Sequence, residues 1–194
     1  MKRKGELTRE RIVAASASLL NREGYLRTPV SEIMRATGMQ KGGIYNHFAS
    51  REELGLEAFN YAFRRMRERL LAAIAEKPSA RQKLLALMDV FRDSPAAPDV
   101  EGGCPIMNLA IEADDADPKL RQAARQAMEA LHGLFERIIK EGVARSEFAK
   151  RNARATAIHM VAALEGALMM SNLYKDAEYL DAVTTHLATE VQGW

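Results

Sequence analysis

With 194 residues, 47% of them hydrophobic and 28% charged at a net charge of +2, the chain has room for one large or two small cored domains; the overall charge alone does not imply nucleic acid. Its single cysteine, Cys104, excludes an internal disulfide framework and a cysteine-rich zinc site, and fits a reducing compartment. No apolar run follows the opening Met-Lys-Arg-Lys, and the most apolar stretch, Ile158 to Met170, is broken by Glu165 and too short to cross a bilayer, so a soluble, cytoplasmic protein without a membrane partner is expected.

Helical periodicity dominates, and no alternating pattern bounded by a hairpin turn occurs. A first helix is predicted from about Thr8, its N-cap, to Glu23, with Ile12, Ala15, Ser16 and Leu19 on one face and Gly24 as its stop. Thr28-Pro29 reads as a helix start, threonine at the cap and proline at the first helical position. Ile33, Met34 and Ala36 give this short helix an apolar side, and Gly38 ends it. A third helix begins near Gln40 or Lys41 and carries Ile44 and Phe48 one turn apart. Ser50 and Glu53 form a capping box for a fourth, which runs to about Ala75. Beyond Pro78, a fifth runs from about Ser79 to Arg92, and the proline- and glycine-rich stretch 93–105 is a loop. A short helix from about Ile106 to Ala113 follows, then a long one capped by Asp117 and reaching about Glu141. Residues 152–174 form a helix that is apolar nearly all round, which predicts cover on both sides, one side coming from a partner subunit. The last helix, about Tyr179 to Val191, carries Leu180, Val183, Leu187 and Val191 on one stripe. The fold class is therefore all-α, a three-helix helix-turn-helix domain at residues 1–50 and a larger helical domain at residues 51–194.

Charge is unevenly spread. Residues 1–50 hold nine Lys/Arg against four acids, so this part is +5 and the remaining 144 residues are −3. A basic end on a mildly acidic body suits a chain that meets phosphate with one end, although a solvated basic face explains the charge as well. In helix-turn-helix geometry the second of two short helices enters the DNA major groove. Gln40, Lys41, Tyr45, Asn46 and His47 would then point outward. Gln40 and Asn46 could pair with adenine edges, Lys41 suits phosphate or guanine, and Tyr45 and His47 suit phosphate. Gly42-Gly43 weakens the helix by roughly 1 kcal/mol per glycine and leaves a backbone that can approach DNA closely.

The segments TRERIVAAS, REGY and TPVSEIMRATGMQKGGIYNHFASREEL resemble, in register over residues 8–59, the N-terminal domain of the TetR family of transcriptional regulators. The resemblance covers just over a quarter of the chain. It implies a homodimer that binds a near-palindromic DNA operator and releases it when a small molecule occupies the C-terminal domain. It also implies phosphate contacts from Thr28, Tyr45, His47 and Arg51, with Gln40, Lys41, Gly43 and Asn46 facing the groove. Arg51 stands where members often have lysine, Gln40 where many have serine, and Asn46 where many have tyrosine, histidine or arginine, so base preference does not carry over.

The body offers candidates for the effector. Phe63, Met66, Met88, Phe91, Met107, Met128, Phe135 and Met169 are the apolar ones, methionine suiting a pocket for varied ligands and equally a plain core. Asn108, His132, Glu165, Glu112 and His159 are the polar ones. GGCPIMNLAIEADDADPKLR is similar to a subset of TetR-like regulators with a Gly-Cys motif opening the sixth helix. Cys104 near that helix start is either a reactive thiol that senses electrophiles or redox state, or a small apolar residue in a buried corner. Ile158, Val161, Leu164, Leu168, Leu180, Val183 and Leu187 are the expected dimer interface. Glu112, Asp114, Asp115 and Asp117 cluster, but capping explains them as well as a metal does, and no cofactor or metal is predicted. With no phosphate loop, nucleophile elbow or paired metal-binding histidines, the chain is expected not to be an enzyme. A helical enzyme or small-molecule carrier using Cys104 and His132, and an architectural DNA binder without an effector, stay open as alternatives.

Overall fold

The computed structural model describes residues 4–113 and 117–194. Among the described residues there are nine helices and no strand: α1 (Lys4–Glu23), α2 (Val30–Thr37), α3 (Lys41–Tyr45), α4 (Arg51–Ile74), α5 (Ala80–Asp93), α6 (Pro105–Ala113), α7 (Pro118–Ala144), α8 (Ala153–Tyr174) and α9 (Glu178–Gln192). The chain divides into two compact units, one of residues up to Met66 with Asp99–Arg125, the other of Arg67–Pro98 with Gln126–Trp194.

In the first unit, α1 buries Ile12, Val13, Ser16, Ala17 and Leu20. The expected face of Ala15 and Leu19 is rotated outward, Ala15 being exposed and Leu19 half-buried. Both stripes have helical spacing; packing within this unit, whose buried core also holds Ile33, Ile44, Phe48, Leu54 and Phe59, selects between them. Gly38 ends α2 at φ 68°, the left-handed conformation in which glycine carries no Cβ penalty. The start of α2 departs from the expectation. Pro29, not Thr28, holds the cap position without a side-chain cap bond, and the buried Thr28 hydroxyl donates back to the Gly24 carbonyl. The α3 helix stops at Tyr45, short of Phe48. Ser50 caps α4 by accepting from the Glu53 N–H at 3.2 Å, and the Glu53 carboxylate accepts from the Ala49 N–H at 2.7 Å.

The second unit packs α5, α8 and α9 together with the later part of α7. Leu84, Leu87 and Phe91 of α5, Phe135 and Ile139 of α7, Met160 and Leu164 of α8 and Leu180 and Val191 of α9 form its core. Lys83 and Glu141 pair at 2.8 Å, tying α5 to α7. The Arg81 guanidinium donates to the carbonyls of Glu147, Val191 and Trp194 and so gathers three chain segments. Asn152 caps α8 by accepting from the Ala155 N–H.

The outward side of α8 differs from the interface expected. Val161, Leu164, Leu168, Leu180 and Leu187 are buried within the unit, and Val183 is half-buried. The large hydrophobic side chains that α8 leaves facing outward are Ile158 (43% exposed), Met169 (44%), Leu173 (68%) and Tyr174 (61%). The pattern of an all-round apolar helix does not specify which side its own unit takes.

Candidate nucleic-acid interface

The α2 and α3 helices meet through the turn at Gly38, and Ile33 and Ile44 lock them inward. That leaves Gln40, Lys41, Gly42, Tyr45 and Asn46 exposed along α3 and its end, with His47 half-buried. A Cβ added to Gly42 would meet nothing within 4 Å, so this backbone is open to an approaching ligand. A Cβ at Gly43 would come 3.0 Å from the Met39 methyl, the end of a flexible side chain that needs to give by only a few tenths of an ångström. Thr28 is turned inward as described, and Arg51 is half-buried with its Nε donating to the Thr28 carbonyl at 2.9 Å. These two expected phosphate contacts thus also join the starts of α2 and α4.

A residue not singled out from sequence organises this surface. The Arg9 guanidinium pairs with Glu57 at 2.9 Å and Glu53 at 3.0 Å, lies 4.6 Å from the centroid of the Phe48 ring, and reaches the His47 carbonyl at 3.4 Å. Hydrogen bonding and charge from Glu57, then Glu53, hold its pKa above the ordinary value despite partial burial. The i, i+4 spacing of Glu53 and Glu57 is the signal that points to a cationic partner, though not to which of the nearby cations. A carboxylate clamp from α6 was likewise not anticipated as part of this unit. Glu112 accepts the backbone N–H groups of Tyr25 and Leu26, both at 3.0 Å.

The expected effector residues fall in both units. Phe63 and Met66 of α4 and Met107 of α6 are half-buried in the first. Asn108 is committed there to the carbonyls of Asn21 and Gly102. Cys104 is 3% exposed, immediately before α6, and Tyr25 beside it is buried enough that its phenol pKa is pushed up, first by desolvation and then by Cys104 and Glu112. In the second unit Met88, Phe91 and Phe135 are buried, Met128 and His132 half-buried, Glu165 buried on α8, and Met169 faces outward. An open cleft of about 620 Å³ in this unit is lined by Arg151, His159, His186, Glu190 and Trp194 among others, and of the expected pocket residues only His159 reaches it. Asp114 and Asp115 lie outside the described residues; Asp117 caps α7 by accepting from the Lys119 and Leu120 N–H groups. No helix among the described residues is long and apolar enough to cross a membrane.

Comparison with known proteins agrees with this architecture along the whole chain. Residues 12–58 match the family description "Bacterial regulatory proteins, tetR family", and residues 80–187 match "Tetracyclin repressor-like, C-terminal domain". The crystal structure of a TetR transcriptional regulator from Chloroflexus aurantiacus is 41% identical, covers 98% of this chain and 97% of its own, and superposes with a TM-score of 0.94. A TetR-family regulator from Cytophaga hutchinsonii is 29% identical with a TM-score of 0.91, covering 100% of this chain and 97% of its own. An uncharacterised HTH-type transcriptional regulator of Mycobacterium tuberculosis is 29% identical over 188 residues, 92% of this chain and 91% of that protein. The helix-turn-helix corner, the order of the described helices and these matches at both ends place the chain in the TetR family of transcriptional regulators.

Proposed function

We propose that this chain acts as a cytoplasmic, non-enzymatic repressor that binds a near-palindromic operator as a homodimer and lets go when a small molecule occupies the helical body. The observation that carries the reading is the exposed row Gln40, Lys41, Tyr45 and Asn46 on an α3 with an open glycine backbone, on the basic end of the chain. Lys41 supplies phosphate or guanine contact, Gln40 and Asn46 read base edges, and Tyr45, His47 and Arg51 position the helix on phosphate. The second copy seats on the outward stripe of α8, Ile158, Ala162, Gly166, Met169 and Leu173, where a Cβ on Gly166 would meet nothing within 4 Å. Exposed apolar groups at helical spacing favour a helix of the partner there. Effector binding shifts the dimer toward a state whose two heads no longer match the half-site separation.

The test is selection of a duplex from a random library by the wild-type protein, followed by titration at several salt concentrations and with a metabolite panel. The expected product is an inverted repeat bound by two chains and released by one class of metabolite. Lys41→Ala should weaken binding and flatten the salt dependence by about one unit of slope. Selection of no repeat, or an unchanged slope, would refute the reading.

A further inference from the structure

The corner between α1 and α2 is held from outside by α6 and the loop before it. Asn21, buried near the end of α1, donates from Nδ2 to the carbonyls of Glu101 at 2.8 Å and Gly103 at 3.0 Å. Its own carbonyl accepts from the Asn108 side-chain amide at 2.9 Å, and that amide also donates to the Gly102 carbonyl at 2.8 Å. The Tyr25 hydroxyl donates to Asn21 Oδ1, and Tyr25 rests edge-on against Phe59 with centroids 6.0 Å apart. One α6 turn beyond Asn108, the two oxygens of Glu112 take the N–H groups of Tyr25 and Leu26. Gly102 has φ +106°, and a Cβ there would lie 2.7 Å from the Asn21 carbonyl carbon and oxygen, so the loop seats only with glycine at that point.

The corner leads straight to the reading head. Thr28 binds the Gly24 carbonyl through both its N–H and its hydroxyl, and the Thr28 carbonyl holds Arg51 at the start of α4. Glu112 therefore grips one side of a short rigid link whose other side begins α2 at Val30. We propose that Asn108 and Glu112 are positioning residues for operator recognition: they set the α1–α2 corner, and through it the pose of α2 and α3, without touching DNA. This rests on the operator-binding reading above and adds to it the groups that hold the head in its reading pose. Base readout depends on side chains placed to a fraction of an ångström, whereas attraction to phosphate charge does not. Loosening the corner should separate the two.

The experiment compares wild type, Glu112→Gln and Gly102→Ala on the selected duplex and on a random-sequence duplex of equal length, each variant first shown folded by helical signal and melting. Gln keeps the size of Glu112 but replaces one accepting oxygen with a donor facing an N–H; Gly102→Ala opens the corner from the opposite end. Glu112→Gln should lose about tenfold on the selected duplex, as expected for one charge-assisted bond; Gly102→Ala, which displaces the loop from Asn21, should lose affinity for it in the same direction; and both should stay within about twofold on the random duplex. Hydrogen exchange at the Tyr25 and Leu26 amides should quicken in Glu112→Gln. Wild-type affinity for the selected duplex in both variants, or equal proportional losses on both duplexes, would overturn the proposal. If wild type selects no duplex, the operator reading itself falls and takes this proposal with it.

Discussion

Gly142→Ala separates what helix propensity expects from what the packing demands. Gly142 lies in the last turn of α7, and in an isolated helix alanine there would be better by about 1 kcal/mol. In the folded chain the new Cβ would stand 2.1 Å from Phe148 Cδ2, 2.2 Å from Cε2 and 3.0 Å from the Ala80 Cβ. Carbon atoms sit at about 3.5 Å or more when in contact, so the ring must withdraw by well over 1 Å. It is poorly placed to do so. Trp194 meets it edge-on at 5.2 Å, and the guanidiniums of Arg81 and Arg151 lie 5.4 and 5.8 Å from its centroid. Arg81 is itself fastened to the carbonyls of Glu147, Val191 and Trp194. Overpacking of this kind costs about 1–3 kcal/mol, and disturbing the cation–π contacts adds roughly 0.5–1. Against the propensity gain, the net should be a loss of about 2 kcal/mol, which for a chain of this size lowers Tm by about 4–8 °C. Trp194 is the one tryptophan of the chain, so its fluorescence reports on this corner during thermal and urea melts. An unchanged or raised Tm would refute the packing argument.

Three further outcomes are expected from the packing and exposure of single residues. Gly166→Ala faces open space on α8 and should raise the stability of the isolated chain by up to about 1 kcal/mol, while a second copy seated there makes dissociation occur at higher protein concentration in analytical ultracentrifugation; tighter association would speak against that seat. Burial, opposed by Glu129 and aided by Arg154, lowers the pKa of His132, so the unfolded chain takes up that proton first. Stability should therefore fall as pH drops below about 6.5 and level off under the lowered folded value, and His132→Gln should remove that component from urea melts across pH 5–8. Cys104, 3% exposed, should react with a thiol reagent at least about a hundredfold more slowly in native protein than in urea, and rapid native labelling would contradict its burial.

Local chemistry made much of this protein legible from its residues. Ser50 with Glu53, Gly38 and Asp117 cap or stop their helices as their short-range bonding predicts, because a cap depends on groups within four residues. The inward anchors Ile33, Ile44 and Phe48 could be found for a similar reason, lying in short helices and their flanks with little apolar choice. Where two apolar stripes compete, periodicity does not choose between them. On α1 the inward face passes through Val13, Ala17 and Leu20, and on α8 the outward groups include Ile158, Met169 and Leu173, because each helix offers apolar residues in more than one direction.

Thr28 shows how even a strong local signal can yield to its surroundings: its hydroxyl has a carbonyl four residues back within reach and takes it in preference to the cap. The ties that build the head join residues distant along the chain, Arg9 to Glu53 and Glu57, Asn21 to Asn108, and Tyr25 and Leu26 to Glu112. No periodicity encodes them, since each partner alone is an ordinary polar residue on a helix surface. Helix order, the caps at Ser50 and Asp117, the glycine turn and the basic end were thus determined by sequence alone, through interactions spanning a turn or two, whereas the expected caps at Thr8 and Thr28 were not kept, α1 beginning at Lys4 and Thr28 bonding back to Gly24. Which helix face turns inward, and which carboxylate holds the corner before α2, was decided only when segments some 40 to 90 residues apart came within hydrogen-bonding distance.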